Sequence, residues 1–389
     1  MELRSAERRG GVMNDFVDEL RIEAGLSDTE VDLLRRSNIA SAEALYSLTL
    51  AFPTELQKAN VDVAKLSYVS GRRSSAAFST RAVSAARTPR KRAFGARPPT
   101  SHPVRQGYVV PPSPFGGTAP SATGSGGSSS GETDYRIPSW PVRDQGDRGT
   151  CVAHALVALR EWVATSSGLV PRLSEQYLFW ASKQPHLGND PLPHDDGTLL
   201  SYASRALEVG GVCEAHHWPY EGRLVTGNVT HQDHPQPPAP ATAAKAAALH
   251  YKVAAGPGSS FTNGLNGNAP LLLGLLRKGR PVAITVPVFE SATNGMTNWS
   301  TPFAEQTGTI AEPLDYTVFS GGHAVCVTGF VSKTSEPCGG YFVFRNSWGD
   351  DWAFNPDYLP NANQFSRERG YGAISASYID RYLWEACTI

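Results

Sequence analysis

Of the five cysteines in this 389-residue chain, at positions 151, 213, 326, 338 and 387, one sits where a thiol can act. Cys151 closes the run RDQGDRGTC behind Gln145, Gly146 and Gly149, and it heads the stretch CVAHALVALREWVA. That stretch predicts a helix from Cys151 to Thr165, stopped by Ser166, Ser167 and Gly168. A helix start exposes unpaired amides and about half a positive charge, so a thiolate there is stabilised. The expectation is a thiol of lowered pKa. Gly146 and Gly149 let the backbone turn tightly and come close to a ligand. Gln145, six residues upstream, can bring its side-chain amide beside the Cys151 backbone N–H. Two such donors make an oxyanion hole, at roughly 3–4 kcal/mol per donor in acyl transfer.

A nucleophilic thiol also needs a base. The segment SGGHAVCVTGF places His323 at the entrance of an apolar strand, behind Gly321 and Gly322, which clear space around the ring. FVFRNSWGDDW ends the next strand on Asn346, whose carbonyl oxygen can hold the histidine tautomer, with Trp348 near enough to shield that contact from water. His323 follows Cys151 by 172 residues and Asn346 follows His323 by 23. Nucleophile, base and orienting group are the parts of a generalised catalytic triad.

The elements that must position these residues come in two sets. Helical patterns come first: CVAHALVALREWVA, SEQYLFWASK and TLLSYASRALEVG. Strand patterns follow: PVAITVPVF, HAVCVTGFV and GYFVFRNSW. Between them, HQDHPQPPAPATAAKAAALH reads as a surface loop leading into an Ala-rich helix. Its His231, Asp233 and His234 lack a fourth ligand, so no metal is expected there. The reading is one α+β domain over residues 134–389.

This domain resembles the papain-like cysteine peptidases, the cathepsin superfamily in its bacterial form. The likeness is carried in order by DYR, QGDRGTCVAHA, LSEQYLFWAS, GTLLSYASRALEVGGVCEAHHWPY, LLLGLLRKGRPVAITV, GGHAVCVTGF, GYFVFRNSWGDDW and GYGAIS. It implies a two-lobed fold, a helical lobe plus an antiparallel barrel-like lobe. It also implies that Cys151 is the nucleophile, His323 the general base and acid, Asn346 the orienting group and Gln145 an oxyanion donor. Gly197, Gly322 and Trp348 fall where the resemblance suggests substrate contact; a helix-entry turn explains Gly197 equally well, and a core role explains Trp348. No cofactor is implied.

The chain departs from the family pattern at four places. Arg148 stands where the family often has a cysteine bridged to a second one, and that disulfide is absent. Val152 replaces the usual aromatic after the nucleophile, which is expected to reshape the cleft floor. His154 replaces another aromatic and reads as a packed helix histidine. The segment AFNPDYLPNANQFSRERGYG after Trp352 is long and suggests a loop over the cleft. No inhibitory propeptide is apparent before Asp134.

Upstream, residues 13–70 read as a small helical module, faintly like helix-hairpin-helix units. Phe16, Val17, Leu20 and Ala24 keep helical spacing up to Gly25, and Ser27 with Glu30 forms a capping box. Two more short helices are expected, Ser41 to Leu50 and Glu55 to Leu66. The many acidic residues (Asp15, Asp18, Glu19, Glu23, Asp28, Glu30, Asp32) favour a protein partner over nucleic acid. Residues 71–133 read as a disordered basic linker: 71–131 hold nine Lys/Arg and no Asp or Glu, and end in Gly/Ser.

Formal net charge is −1, so nothing in the whole chain pulls it toward nucleic acid or an anionic membrane. No apolar run is long enough for a membrane span. The N-terminus lacks the apolar core of a secretory signal, with Met13 a second possible start. Few, scattered cysteines show no disulfide framework, and a reducing cytoplasm is expected. The function expected is a cysteine endopeptidase acting on protein or peptide and recruited by the N-terminal module. An amidase or transpeptidase of the same mechanism, or an inactive interaction scaffold, are the alternatives.

Overall fold

The computed structural model describes residues 15–87, 92–99, 133–134, 141–166, 172–185, 197–223, 249–252, 267–332, 339–354 and 368–389. Six helices come first: α1 (Asp15–Ala24), α2 (Asp28–Arg36), α3 (Ala42–Ala51), α4 (Pro53–Lys58), α5 (Val63–Arg73) and α6 (Ala76–Arg87). Their starts follow the expected chemistry. Ser27 accepts from the Glu30 backbone while Glu30 reaches back to Ser27, and the Ser41 and Asp62 side chains cap α3 and α5 by accepting from the Ala44 and Lys65 N–H. Gly25 at φ 58° ends α1. The single helix expected over residues 55–66 is two helices, because the chain turns at Asn60, a non-glycine residue at φ 62°.

The expected linker from residue 71 is corrected by the structure. Helix α5 runs to Arg73, α6 occupies Ala76–Arg87, and residues 92–99 are placed against the rest of the fold. Residues 100–132 lie outside the described residues. Nor is the helical module self-contained. Its core of Val17, Leu20, Leu34, Leu45, Leu48, Phe52, Leu56 and Leu66 also takes in Met296 and Leu314 from the strand-rich part of the chain. Much of its acidic surface is used internally: Asp18 pairs with Arg35, Glu19 and Glu23 with Arg73, and Glu30 with Lys65.

The remainder is α+β. Helices α7 (Cys151–Ser166), α8 (Glu175–Ala181) and α9 (Leu200–Val209) form one layer, joined later by α10 (Asn268–Leu276), α11 (Pro302–Thr307) and α12 (Ala376–Tyr382). The strands are β1 (Thr133–Asp134), β2 (Leu249–Lys252), β3 (Val282–Glu290), β4 (Val318–Ser332), β5 (Gly340–Arg345), β6 (Tyr371–Ser375) and β7 (Glu385–Thr388). They pair antiparallel in the order β2-β7-β3-β4-β5-β6, with β1 also on β4. The Ala-rich helix expected before residue 250 falls largely outside the described residues, and Leu249–Lys252 is a strand.

Helix α7 is apolar nearly all round because it is the central helix. Val152, Leu156 and Leu159 are fully buried between the sheet and α8. Behind it Arg143 joins Glu161 of α7 to Glu175 of α8, which fixes the chain entering the Gln145 loop.

The module docks on the strand lobe by specific polar contacts. Glu55, 1% exposed, accepts from Ser291 Oγ at 2.9 and 3.0 Å and from the Ala292 N–H at 3.0 Å. Asn294 Nδ2 donates to Ala51 O at 2.9 Å, Asn38 Nδ2 to Tyr341 Oη at 2.8 Å, and the Phe303 N–H to Ser47 Oγ at 2.9 Å. Truncating Glu55 strands two buried donors. Glu55→Ala should cost about 2–3 kcal/mol of docking stability. Calorimetry should register this as a melting transition lowered by roughly 4–10 °C, or as a separate earlier transition for the module.

Candidate functional site

Cys151 opens α7 and is completely buried. The loop before it is tied on both sides. The Gln145 N–H donates to Ser347 O at 2.8 Å, and Gln145 Oε1 accepts from Ser347 Oγ at 2.5 Å. That second contact sets the amide orientation, so Nε2 points the other way. One Nε2 hydrogen goes to Arg148 O at 2.7 Å and the other to Ala93 O at 3.2 Å. Gly146, at φ 60°, is required: a Cβ there would lie 2.1 Å from Gly222 O.

His323 sits on β4 opposite Val286 of β3, and Asn346 follows directly on β5. The His323 Nε2–H donates to Asn346 Oδ1 at 2.8 Å, and the Ser347 N–H donates to the same oxygen at 2.8 Å. With its proton on Nε2, the ring keeps a lone pair on Nδ1, which is buried without a hydrogen-bond partner among the described residues. Trp348 stacks on the imidazole at 4.5 Å between centroids and 23° between planes. Trp299 meets the ring edge-on at 5.0 Å. Two indoles thus wall the His–Asn contact from water. Trp299 has no counterpart in the sequence reading, since TNWST carries no motif.

The cleft above the thiol is occupied by the chain itself, by a segment upstream of Asp134 that the sequence did not mark. Residues 92–97 run through it as a strap. The Ala96 N–H donates to Gly322 O at 2.9 Å, the Thr198 N–H to Gly95 O at 2.8 Å, and the Arg97 N–H to Thr198 O at 2.9 Å. Glycines permit the approach on three sides. A Cβ on Gly95 would fall 1.9 Å from Gly149 O, one on Gly197 2.0 Å from Gly95 O, and one on Gly322 2.3 Å from Ala96 O. Phe94 lies edge-on to His323 and to Trp348, both at 5.7 Å. Arg92 forks onto Glu305 at 3.1 and 2.6 Å, and its guanidinium stands 5.3 Å over Trp348.

Gly197, Gly322 and Trp348, singled out in the sequence for substrate contact, therefore all line the space the strap fills. Trp348 is at once a core residue and the cover of the histidine. The strap residues themselves were invisible as site residues; the only signal is a glycine beside an aromatic in KRAFGARPP.

The expected low thiol pKa does not hold in this closed state. Burial pushes the Cys151 thiol up to about 11, against the opposing pull of backbone hydrogen bonding from Ala324, Gly95, Val152 and Ala96. Burial likewise lowers His323 to about 4, with the Asn346 bond raising it and Arg92 lowering it further. Dehydration outweighs helix-end stabilisation and favours the neutral form of both thiol and imidazole. His154 is a packed histidine, as read from the sequence. Burial lowers it to about 3, and its Nδ1 lies 3.1 Å from Thr150 O. Val152 is fully buried in the core rather than forming cleft floor. The histidine pair of HQDHP and most of the long segment after Trp352 lie outside the described residues.

A sequence model described as "Papain family cysteine protease" matches residues 130–358. A curated relative, an uncharacterized peptidase C1-like protein of Acanthamoeba polyphaga mimivirus, is 25% identical over 212 residues, 54% of this chain. The match spans 61% of that relative's length. Among solved structures, xylellain, a cysteine protease from Xylella fastidiosa, is 20% identical with a TM-score of 0.48, covering 78% of this chain and all of that one. Digestive procathepsin L 3 of Tenebrio molitor is 14% identical with a TM-score of 0.42, covering 96% of this chain and 97% of that one.

A neutral, fully covered thiol should resist alkylation. Iodoacetamide at pH 7 should modify Cys151 of the native chain at least 100-fold more slowly than it modifies the unfolded chain. Mass mapping of the peptide that begins after Arg148 measures the ratio.

Proposed function

We propose that this chain, which belongs to the papain family of cysteine proteases, is a latent endopeptidase whose own residues 92–97 hold the cleft shut. The observation that carries the reading is the Gln145 amide. One of its hydrogens is anchored on Arg148 O, and the other is aimed into the cleft, where it now meets Ala93 O. Once the strap leaves, that second hydrogen is available to an oxyanion, alongside the Cys151 N–H at the helix start.

In the open cleft Cys151 Sγ attacks the scissile carbonyl carbon of a peptide, and its proton passes to the free Nδ1 of His323. The oxyanion is held by Gln145 and the Cys151 N–H. His323 then gives the proton to the leaving amine, leaving a thioester on Cys151. Water attacks that thioester, passes its proton to His323, and the acid departs as the thiol is restored. Asn346 keeps Nε2 protonated and the ring in register throughout, and Trp348 and Trp299 keep competing water off that bond.

The strap's Ala96 N–H is committed to Gly322 O at 2.9 Å, and its backbone opposes the upward push that burial exerts on the Cys151 thiol. In this reading the partner of the helical module is the strand lobe of the same chain, and docking of the module keeps the strap in place.

Gly95→Val tests the reading, because its branched Cβ cannot share space with Gly149 O. The full-length variant should cleave a fluorogenic peptide library at least 10-fold faster than the parent chain, and adding Cys151→Ala should abolish the gain. Thiols titrated in the variant without any peptide turnover would favour the inactive-scaffold alternative. Products captured by added amines instead of water would favour the transpeptidase.

Acidity should loosen the strap. His323 is held near 4 when covered, against about 6.5 for an ordinary histidine in an open cleft. A base with a depressed closed-state pKa favours closure above about 6.5, and that preference is lost as pH falls toward about 4. Hydrogen exchange at Ala96 and Arg97, corrected for the intrinsic pH dependence, should therefore show protection falling between pH 7 and pH 5.

A further inference from the structure

Arg148 is 2% exposed and lies between the oxyanion residue and the nucleophile. Its Nη1 donates to Gln176 Oε1 of α8 at 2.6 Å and to Glu221 O at 2.8 Å. Its guanidinium carbon stands 5.5 Å from the Phe179 ring centroid and 5.4 Å from that of Tyr220. One guanidinium nitrogen thus serves both oxygens while the planar, permanently charged group faces two rings, a shape that the compact ammonium of a lysine does not reproduce. The backbone of the same residue carries the loop: Arg148 O accepts from Gln145 Nε2 at 2.7 Å and from the Thr150 N–H at 2.9 Å.

Tyr220 completes the arrangement from the facing segment. Its hydroxyl donates to Gln145 O at 2.8 Å and so accepts from Thr150 Oγ1 at 2.6 Å. The Asp147 N–H donates to Gly222 O at 3.0 Å. Residues 145–150 are thereby fastened to residues 220–222 and to α8, with Arg148 at the crossing.

We infer that Arg148 is a positioning residue: its side chain clamps the loop so that Arg148 O holds the Gln145 amide with one hydrogen fixed and the other aimed at the reacting oxygen. It fastens by charge and stacking a loop that, in the resemblance drawn above, is often fastened by a disulfide, and it does so without any redox requirement. The inference rests on the peptidase reading for its kinetic part and on the contacts alone for its structural part.

Two measurements separate those parts. In the otherwise unaltered full-length chain, Arg148→Met should raise amide exchange across residues 145–151 at least 10-fold while β4 and β5 keep their protection; unchanged exchange in that loop would overturn the clamp. In the full-length Gly95→Val background, with rates normalised to titrated Cys151, Arg148→Met and Arg148→Lys should each lower kcat 10- to 100-fold with KM within about threefold. Gln145→Ala should do the same, and the Arg148→Met/Gln145→Ala double variant should fall no further, because both act on one hydrogen bond. Effects that multiply, or an unchanged kcat per thiol, would overturn the positioning role. Should Gly95→Val alone have titratable thiol but no turnover, the peptidase reading is what fails, and loop exchange decides the clamp. If Arg148→Met does not fold, Arg148→Lys supplies both readouts.

Discussion

A peptide backbone lies against the loop that carries Cys151 because side chains are missing where two backbones must touch. Gly95 rests against Gly149, Gly197 against Gly95 and Gly322 against Ala96, each at a distance no Cβ could share. That contact excludes water from the thiol and the imidazole, and dehydration favours the neutral form of each. The same contact brings Ala93 O within reach of Gln145 and Phe94 against His323. In the reading proposed above, closure and chemical silence are thus one event.

The strap in turn depends on pieces far away in sequence. Arg92 finds Glu305 on α11, next to the Phe303 amide that Ser47 of α3 accepts. Helix α6, which delivers the chain toward the cleft, packs on α3 and α11. The helical module is therefore connected to the cleft through the lobe that carries His323 and Asn346, and its docking bears on the pose of residues 92–97.

Much of the catalytic half was legible in the sequence, and for a physical reason. A cysteine at a helix start, a histidine behind two glycines and an asparagine at a strand end are local signatures, each carried by neighbours in the chain. The antiparallel strands and the Ser27–Glu30 cap were legible on the same terms. The strap was not, because KRAFGARPP is basic and Pro-flanked and its order comes from partners distant in the chain: Gln145, Gly149, Thr198, Glu305 and Gly322. Helix α6 was hidden likewise, since AAFSTRAVSAAR has no capping box and no acidic first turn, and tertiary packing decides it. The thiol pKa went the other way from the helix-end argument because a half-charge at a helix start is a smaller effect than removing the sulfur from water altogether.

Met296 and Leu314 belong to the catalytic half yet complete the interior of the N-terminal helices. Each half consequently owns part of the other's inside. Cutting the chain between them would leave the two fragments noncovalently mated, and pulling them apart would turn a thioether and an isobutyl group out into solvent on the enzyme while hollowing the helices that had enclosed them. In the reading proposed above, severing a bond alone would leave the helices in residence, and lasting activity would require that they unfold or be consumed.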